Sequence, residues 1–178
     1  MRVLTGSRHR EVAPALGLDD GRLELTLEAD LADPLLVLRC AVAAAGHDAY
    51  LQRSSLERLA DHSSHLSIPW PAEARELFVE LLACGPAAVP VIEDLDHVGL
   101  FVLLVPEWEP CRSRPQRNAY HRFTVDRHLM EAAAEASHLV DRVDRPDLLL
   151  VGALLHDIGK GYPGDHTEVG VDLMRTIG

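Results

Sequence analysis

The chain has 178 residues, of which 28 are acidic and 17 basic, so the formal net charge is −11 with neutral histidines. Apolar side chains make up 47% of the sequence, which is typical of a folded domain and excludes a disordered acidic tail. The negative charge repels phosphate backbones and anionic lipids, which argues against DNA, RNA or a membrane surface as a partner.

Cysteine usage and hydropathy favour the cytoplasm. Cys40, Cys84 and Cys111 are odd in number and far apart, so we expect reduced thiols in or near the core. No apolar run reaches the ~20 residues that a membrane-spanning helix needs. The N-terminus lacks the apolar region of a signal peptide. Aromatic residues contribute 4%, so the core must consist mainly of Leu, Val and Ala, which favours helices.

The first half of the chain predicts one β element followed by a series of helices. Residues Arg22–Glu28 alternate between polar and apolar side chains after an Asp-Gly turn signal, which predicts a short strand or hairpin arm. Asp33 and Pro34 predict a helix start, and Ser54 with Glu57 matches a capping box. Helices are therefore predicted over residues 33–46, from 54 onwards, 71–85 and 87–99.

A break is predicted from Pro106 to Asn118, where two prolines interrupt the helical periodicity. Trp108 lies within it and is expected to pack this linker onto the helices. Asp144 is the expected N-cap of a later helix. Beyond the break, helical patterns cover residues 124–141, 144–157 and 165–178.

The chemistry-bearing residues follow this break. His156 and Asp157 end an apolar helix directly before glycines that stop it. His128 lies one helix and one turn upstream, and His166 follows ten residues later. An antiparallel helix pair would bring these side chains to one helix end, where imidazole and carboxylate together suit a divalent metal ion.

Two simpler interpretations apply to the histidines. A histidine at a helix C-terminus, such as His156, often caps free carbonyls and complements the helix dipole. His62 and His65 have helical i, i+3 spacing, yet they lack further ligands nearby, so an exposed helix end is predicted there.

The motifs together resemble a known family. His128, the run Leu154–Gly161 and Gly164–His166 are similar to the HD superfamily of metal-dependent phosphohydrolases. Residues Tyr120–His128 resemble the segment that enters the HD domain of the bifunctional uridylyltransferase/uridylyl-removing enzymes, which modify the PII signal protein. The segments Val105–Glu109 and Gln116–Tyr120 are similar to the corresponding segments of the actinobacterial members of that family.

This resemblance implies an all-α fold, a helical bundle with an HD core and a minor β element near the N-terminus. It implies metal-dependent removal of a uridylyl or adenylyl group from a tyrosine of PII in nitrogen regulation. Glutamine is then sensed by C-terminal domains whose sequence is not found in this chain. The metal is expected to be Mn²⁺ or Mg²⁺, with Fe or Zn as alternatives. The implied roles are metal binding by His128, His156 and Asp157, catalysis by Lys160 and His121, and substrate or second-metal binding by His166 and Arg122.

The sequence also departs from the family pattern. No aspartate beyond the His-Asp pair lies far enough away to be the usual distal metal ligand, and no nucleotidyltransferase signature is present. We therefore expect residues 1–110 to form a helical linker region with a short β element, and 111–178 to form the N-terminal part of an HD domain. Two alternatives stay open: a non-catalytic helical piece that couples other domains, and a general HD phosphohydrolase that acts on free nucleotides.

Overall fold

A computed structural model describes residues 10–115 and 123–177 of the chain. The helices are α1 Leu36–Gly46, α2 Arg53–His62, α3 Ala72–Ala83, α4 Ala88–His97, α5 Leu100–Leu104, α6 Val125–Ser137, α7 Pro146–Leu155 and α8 His166–Ile177. Short 3-10 helices lie at Gly85–Ala87, Pro106–Cys111, Val140–Arg142 and Ile158–Gly161. The expected helical fold with a minor β element near the N-terminus is confirmed.

The β element is a small four-stranded sheet. Its strands are β1 Arg10–Ala13, β2 Leu16–Asp19, β3 Arg22–Leu25 and β4 Tyr50–Leu51. The first three strands form an antiparallel meander, and β4 pairs in parallel with β3. Asp20 and Gly21 join β2 to β3 with φ angles of 48° and 73°, the left-handed pair that a two-residue hairpin turn requires. The sequence predicted this turn and β3, but not the other strands.

The helical core continues through residues 106–115, the described part of the predicted break, which we call the linker. Trp70, Phe78, Phe101 and Trp108 form a row of ring contacts, with successive centroids 5.4, 6.4 and 5.0 Å apart. Trp108 is fully buried at the end of this row. The prediction that Trp108 packs the linker onto the helices is confirmed, and the 3-10 helix Pro106–Cys111 is therefore an ordered part of the core.

Three predicted helix starts are wrong. Helix α1 begins at Leu36 with Leu35 as its N-cap, three residues later than predicted, although the Leu35 N–H donates to Asp33 Oδ1 at 2.9 Å. Helix α2 begins at Arg53 with Gln52 as its N-cap, which makes no side-chain cap hydrogen bond. The buried Ser55 hydroxyl instead accepts a hydrogen bond from the Leu25 backbone N–H at 3.0 Å, so a serine of this helix holds the end of β3. Helix α7 has Arg145, not Asp144, as its N-cap, because Pro146 is already its first residue.

Helix α6 is shorter than predicted. It ends at Ser137, and the chain re-forms a short 3-10 turn at Val140–Arg142 before α7. The three cysteines are free thiols, with Cys40 and Cys111 buried, as expected. Within residues 10–115 and 123–177, no helix combines the length and the apolar composition that crossing a bilayer requires.

Truncation of the Trp108 side chain tests the role of the aromatic row. Trp108→Ala is expected to lower the free energy of unfolding by about 3–5 kcal/mol, because it removes a fully buried ring and leaves a cavity. Leu148→Ala on α7 is the control, since Leu148 is 60% exposed and its loss should change stability by less than about 0.5 kcal/mol. Urea unfolding followed by circular dichroism measures both values, and equal losses would contradict a linker that is integral to the core.

Candidate metal centre

Helices α6 and α7 pack against each other and bring the predicted ligands together. His128 lies one turn inside α6. Helix α7 ends at Leu155, two residues earlier than predicted, so His156 and Asp157 follow its last turn and lead into the 3-10 helix Ile158–Gly161. We call residues 156–162 the His-Asp loop.

One carboxylate oxygen lies at the centre of the cluster. Asp157 Oδ2 is 3.2 Å from His156 Nε2 and 3.6 Å from His128 Nε2. The two imidazole rings meet edge to face, with centroids 5.2 Å apart. Within the described part of the chain, ligand atoms of these three side chains all lie within 4.8 Å of one another. The structure thus brings the three residues together, while their role as metal ligands stays a prediction.

The orientation of His156 is set by the end of α7. Its Nδ1 lies 2.8 Å from the Ala153 carbonyl oxygen. A carbonyl can only accept, so Nδ1 carries a proton and donates to it, and Nε2 is the ring nitrogen that faces Asp157. The interpretation of His156 as a helix cap and its interpretation as a ligand are therefore compatible, because each uses a different nitrogen.

Lys160 forms an ion pair with Asp157. Its Nζ lies 2.5 Å from Asp157 Oδ2, with the Asp157 side chain 18% exposed. Burial acts to raise the pKa of the Asp157 carboxyl, but the hydrogen bond from Lys160 and the nearby His156, Lys160 and His128 outweigh it and hold the pKa below its usual value. Asp157 is therefore ionised at neutral pH and can act as an anionic ligand.

The donor set fits a divalent cation. Two imidazole nitrogens and one carboxylate oxygen are the ligand types that Mn, Fe and Zn accept. Ligand atoms about 2.1 Å from one cation lie roughly 3–3.5 Å from each other, and the separations of Asp157 Oδ2 from the two imidazole nitrogens are close to that range. His128, His156 and Asp157 would hold the ion, and its remaining coordination positions would be open to water and substrate.

The other residues that were predicted for the site are not part of the ligand group in the structure or lie outside the described residues. His166 is exposed at the first position of α8 and does not belong to the three-residue ligand group. His121 and Arg122 lie outside the described residues. His62 is exposed at the end of α2, as predicted, and the exposed His65 lies near the Leu103 carbonyl, at 3.3 Å.

The sequence did not predict the contacts that the glycines of the His-Asp loop make with α8 and with the linker. Gly159 packs so closely on α8 that a Cβ atom there would lie 2.8 Å from the Gly170 backbone nitrogen. Gly161 packs with similar closeness on Cys111 of the linker. The paired glycines were visible in the sequence, but they indicate a break in a helix equally well, and their packing partners are remote in sequence.

Loss of Lys160 is expected to raise the pKa of Asp157. A carboxyl with a lowered native pKa stabilises the fold above its unfolded pKa, and that stabilisation is lost as pH falls through the native value. In Lys160→Met, burial is opposed less strongly, so the native pKa rises and acid unfolding of the metal-free protein should begin at higher pH. Circular dichroism against pH measures the midpoint. Arg175→Met, which removes an exposed ion pair with Asp172, should leave it unchanged.

Comparison with known proteins identifies a family for the part of the chain that contains the ligand group. The HD domain family model matches residues 125–178, which include α6, α7, the His-Asp loop and α8. The match therefore covers all three members of the ligand group.

Named relatives align with nearly the whole chain. The bifunctional uridylyltransferase/uridylyl-removing enzyme of Streptomyces coelicolor is 47% identical over 99% of this chain and 22% of its own length. The enzyme of the same name from Mycobacterium tuberculosis H37Rv is 46% identical over 90% of this chain and 21% of its own length. The enzyme of the same name from Corynebacterium glutamicum is 37% identical over 87% of this chain and 22% of its own length. The chain thus spans about a fifth of the length of these relatives.

Proposed function

Because this chain is a homologue of one segment of the bifunctional uridylyltransferase/uridylyl-removing enzymes, actinobacterial ones included, we propose that its His-Asp loop is a hydrolytic site. The reaction is removal of a nucleotidyl group from a tyrosine of the PII signal protein. The observation that supports this best is the approach of His128 and His156 to a single oxygen of Asp157.

The reaction is the hydrolysis of a phosphodiester. Water adds to phosphorus, the bond between phosphorus and the tyrosyl oxygen breaks, and the tyrosyl oxygen takes up a proton. The products are a nucleoside monophosphate and the free tyrosine. When bound, a divalent cation polarises a phosphoryl oxygen and makes water more acidic. Mn²⁺ or Mg²⁺ is the proposed ion, because a hydrated ion with open positions suits a phosphate substrate.

The chain's own residues do the positioning. Lys160 keeps Asp157 anionic, and its ammonium group is close enough to the ligand group to offset negative charge on phosphoryl oxygens. The Ala153 carbonyl keeps the proton of His156 on Nδ1, away from the ligand group. His121, as a catalytic residue, and His166 and Arg122, as substrate or second-metal ligands, complete the proposed site.

We also propose the division of the chain. Residues 1–110 form the helical region with its small sheet, and residues 111–178 contribute to the HD domain. The net charge of −11 makes nucleic acid an unsuitable partner, so the proposed macromolecular substrate is nucleotidylated PII.

A nucleotide-release assay tests the proposal. Purified protein is incubated with uridylylated PII, with adenylylated PII and with free UTP and ATP, each in Mn²⁺, in Mg²⁺ and in EDTA. We expect metal-dependent release of a nucleoside monophosphate from one form of modified PII, no release in EDTA, and little hydrolysis of the free nucleotides.

The other outcomes are equally informative. Hydrolysis of free nucleotides with no action on PII would replace the proposal by a general HD phosphohydrolase. Metal binding without any hydrolysis, or no metal binding at micromolar Mn²⁺, would favour a helical piece that couples other domains.

A further inference from the structure

The linker contacts the His-Asp loop directly, as α8 does. Two hydrogen bonds join the 3-10 helix of the linker to the loop. The Tyr162 hydroxyl donates to the Glu107 carbonyl at 3.1 Å, and the Cys111 thiol donates to the Ile158 carbonyl at 3.3 Å. Burial raises the pKa of the Cys111 thiol to about 11, so the thiol stays protonated at neutral pH. The linker therefore binds the backbone of the loop as well as packing against it.

The packing between the linker and the loop leaves no room for a side chain at Gly161. A Cβ atom on Gly161 would lie 2.7 Å from Cys111 Sγ and 3.1 Å from the Cys111 backbone nitrogen. Real Cβ atoms essentially never come as close to another atom as the 2.7 Å contact with sulfur, and the contact with the backbone nitrogen is also tighter than most, so the two segments pack directly against each other. A shift of the linker would therefore be transmitted to the loop.

The same linker also holds the start of α6. The Val125 N–H, at the first residue of α6, donates to the Arg114 carbonyl at 2.9 Å. The Ser113 N–H donates to Asp126 Oδ2 at 2.6 Å, and Asp126 is 8% exposed. His128 lies less than one turn beyond these contacts, so its helix is fixed to residues 113 and 114.

Arg114 is hydrogen-bonded both to α6 and to the His-Asp loop. Its backbone carbonyl accepts from α6, and its Nη1 donates to the carbonyl oxygen of Gly161 in the His-Asp loop. His128 reaches the ligand group from α6, while Asp157 reaches it from the loop. Among the described residues, the hydrogen bonds of Arg114 reach backbone atoms of the linker, α6 and the His-Asp loop and none of the three ligand side chains.

We propose that Arg114 is a positioning residue, which sets the separation between His128 on α6 and Asp157 on the His-Asp loop and so tunes the affinity of the metal site. This inference rests on the proposed function for the identity of the site. Loss of a residue that orients metal ligands without binding the ion itself typically lowers metal affinity by about 10- to 100-fold.

An arginine suits this role better than a lysine. Its planar guanidinium presents several N–H donors in a rigid fork, so the direction of the hydrogen bond to the Gly161 carbonyl is fixed. A lysine at the same position can still donate to that oxygen, but its flexible chain does not define the direction. Arg114→Lys should therefore recover part of the function that Arg114→Met loses.

Two measurements on the same set of variants test the inference. Amide hydrogen exchange of the metal-free protein follows the Lys160 and Tyr162 N–H groups, which bond to the Asp157 and Gly159 carbonyls. Mn²⁺ titration by calorimetry follows affinity. In Arg114→Met we expect exchange at both amides to accelerate about tenfold or more, and Mn²⁺ affinity to fall about tenfold or more. Arg114→Lys should lie between Arg114→Met and the wild type.

Arg112→Met is the matched control. Arg112 belongs to the same linker and pairs with Asp96 at 3.0 Å, so its loss also weakens the linker. None of its hydrogen bonds within the described residues reaches the His-Asp loop. Arg145→Met, at the exposed start of α7, serves as a second control if Arg112→Met does not fold.

Loop amides that exchange at the wild-type rate in Arg114→Met would overturn the inference. So would unchanged Mn²⁺ affinity, or equal losses in the folded control. A wild-type protein that binds no Mn²⁺ would refute the proposed function. The exchange comparison needs no metal, so it would then decide by itself whether Arg114 holds the loop.

Discussion

Asp157→Asn is expected to weaken Mn²⁺ binding by more than about 100-fold, because the substitution removes the charge of the ligand that both histidines face. The substitution keeps the size of the side chain, so the fold should be preserved. Calorimetric titration measures the affinity directly. Thermal unfolding gives a second measure, since a ligand at 100 times its dissociation constant stabilises the native state by about 2.7 kcal/mol.

Asp147→Asn is the matched control for this experiment. Asp147 lies in the first turn of α7, pairs with Arg145 at 2.7 Å and has a half-exposed side chain, so the same chemical change occurs ten residues from Asp157. Its affinity for Mn²⁺ should equal that of the wild type. Equal affinity in Asp157→Asn and wild type, or an equal loss in the control, would show that Mn²⁺ binds elsewhere.

The ligand group could be predicted because its signals are local. A His-Asp pair at the end of an apolar helix and a histidine one helix upstream define a short route back to the same point. The helix pair α6 and α7 has a short connection, and such pairs pack against each other. The positions of His128, His156 and Asp157 therefore followed from element order, without knowledge of the remaining fold.

The supports of the site could not be predicted in the same way. The bond from Arg114 to Gly161 spans 47 residues, and the bond from Tyr162 to Glu107 spans 55. Neither has a periodic pattern in the sequence. β3 lies in the seven-residue alternating run Arg22–Glu28 and was predicted, whereas β1 and β2 were missed because four residues are too few to show alternation. Ser55 illustrates the remaining limit, since a serine near a helix start can cap the helix or bond to another element.

Glycine substitutions separate local propensity from tertiary packing near the site. Gly152 lies within α7, and a Cβ atom there would meet nothing within 4 Å. Gly152→Ala is therefore expected to stabilise the protein by about 0.5–1 kcal/mol, the intrinsic helix preference of alanine over glycine. Gly159→Ala changes the same atoms seven residues later, in the His-Asp loop, with the opposite result.

Gly159→Ala should destabilise the protein by about 3 kcal/mol, the upper end of the usual cost of overpacking, since a clash with rigid backbone cannot be relieved by rotamer changes. The new Cβ would overlap the His166 carbonyl and lie 2.8 Å from the Gly170 nitrogen. To avoid this overlap α8 must move away from the loop, which also disturbs Asp157 and Lys160.

Urea unfolding of Gly159→Ala and Gly152→Ala in EDTA measures the stabilities, and Mn²⁺ titration of the folded variants measures the site. We expect Gly159→Ala to lose stability and Mn²⁺ affinity together, while Gly152→Ala gains stability and keeps its affinity. Gly159→Ala with wild-type stability would mean that α8 does not pack on the loop in solution. A stable Gly159→Ala with weakened Mn²⁺ binding would instead mean that the α8 contact serves the geometry of the site more than the fold.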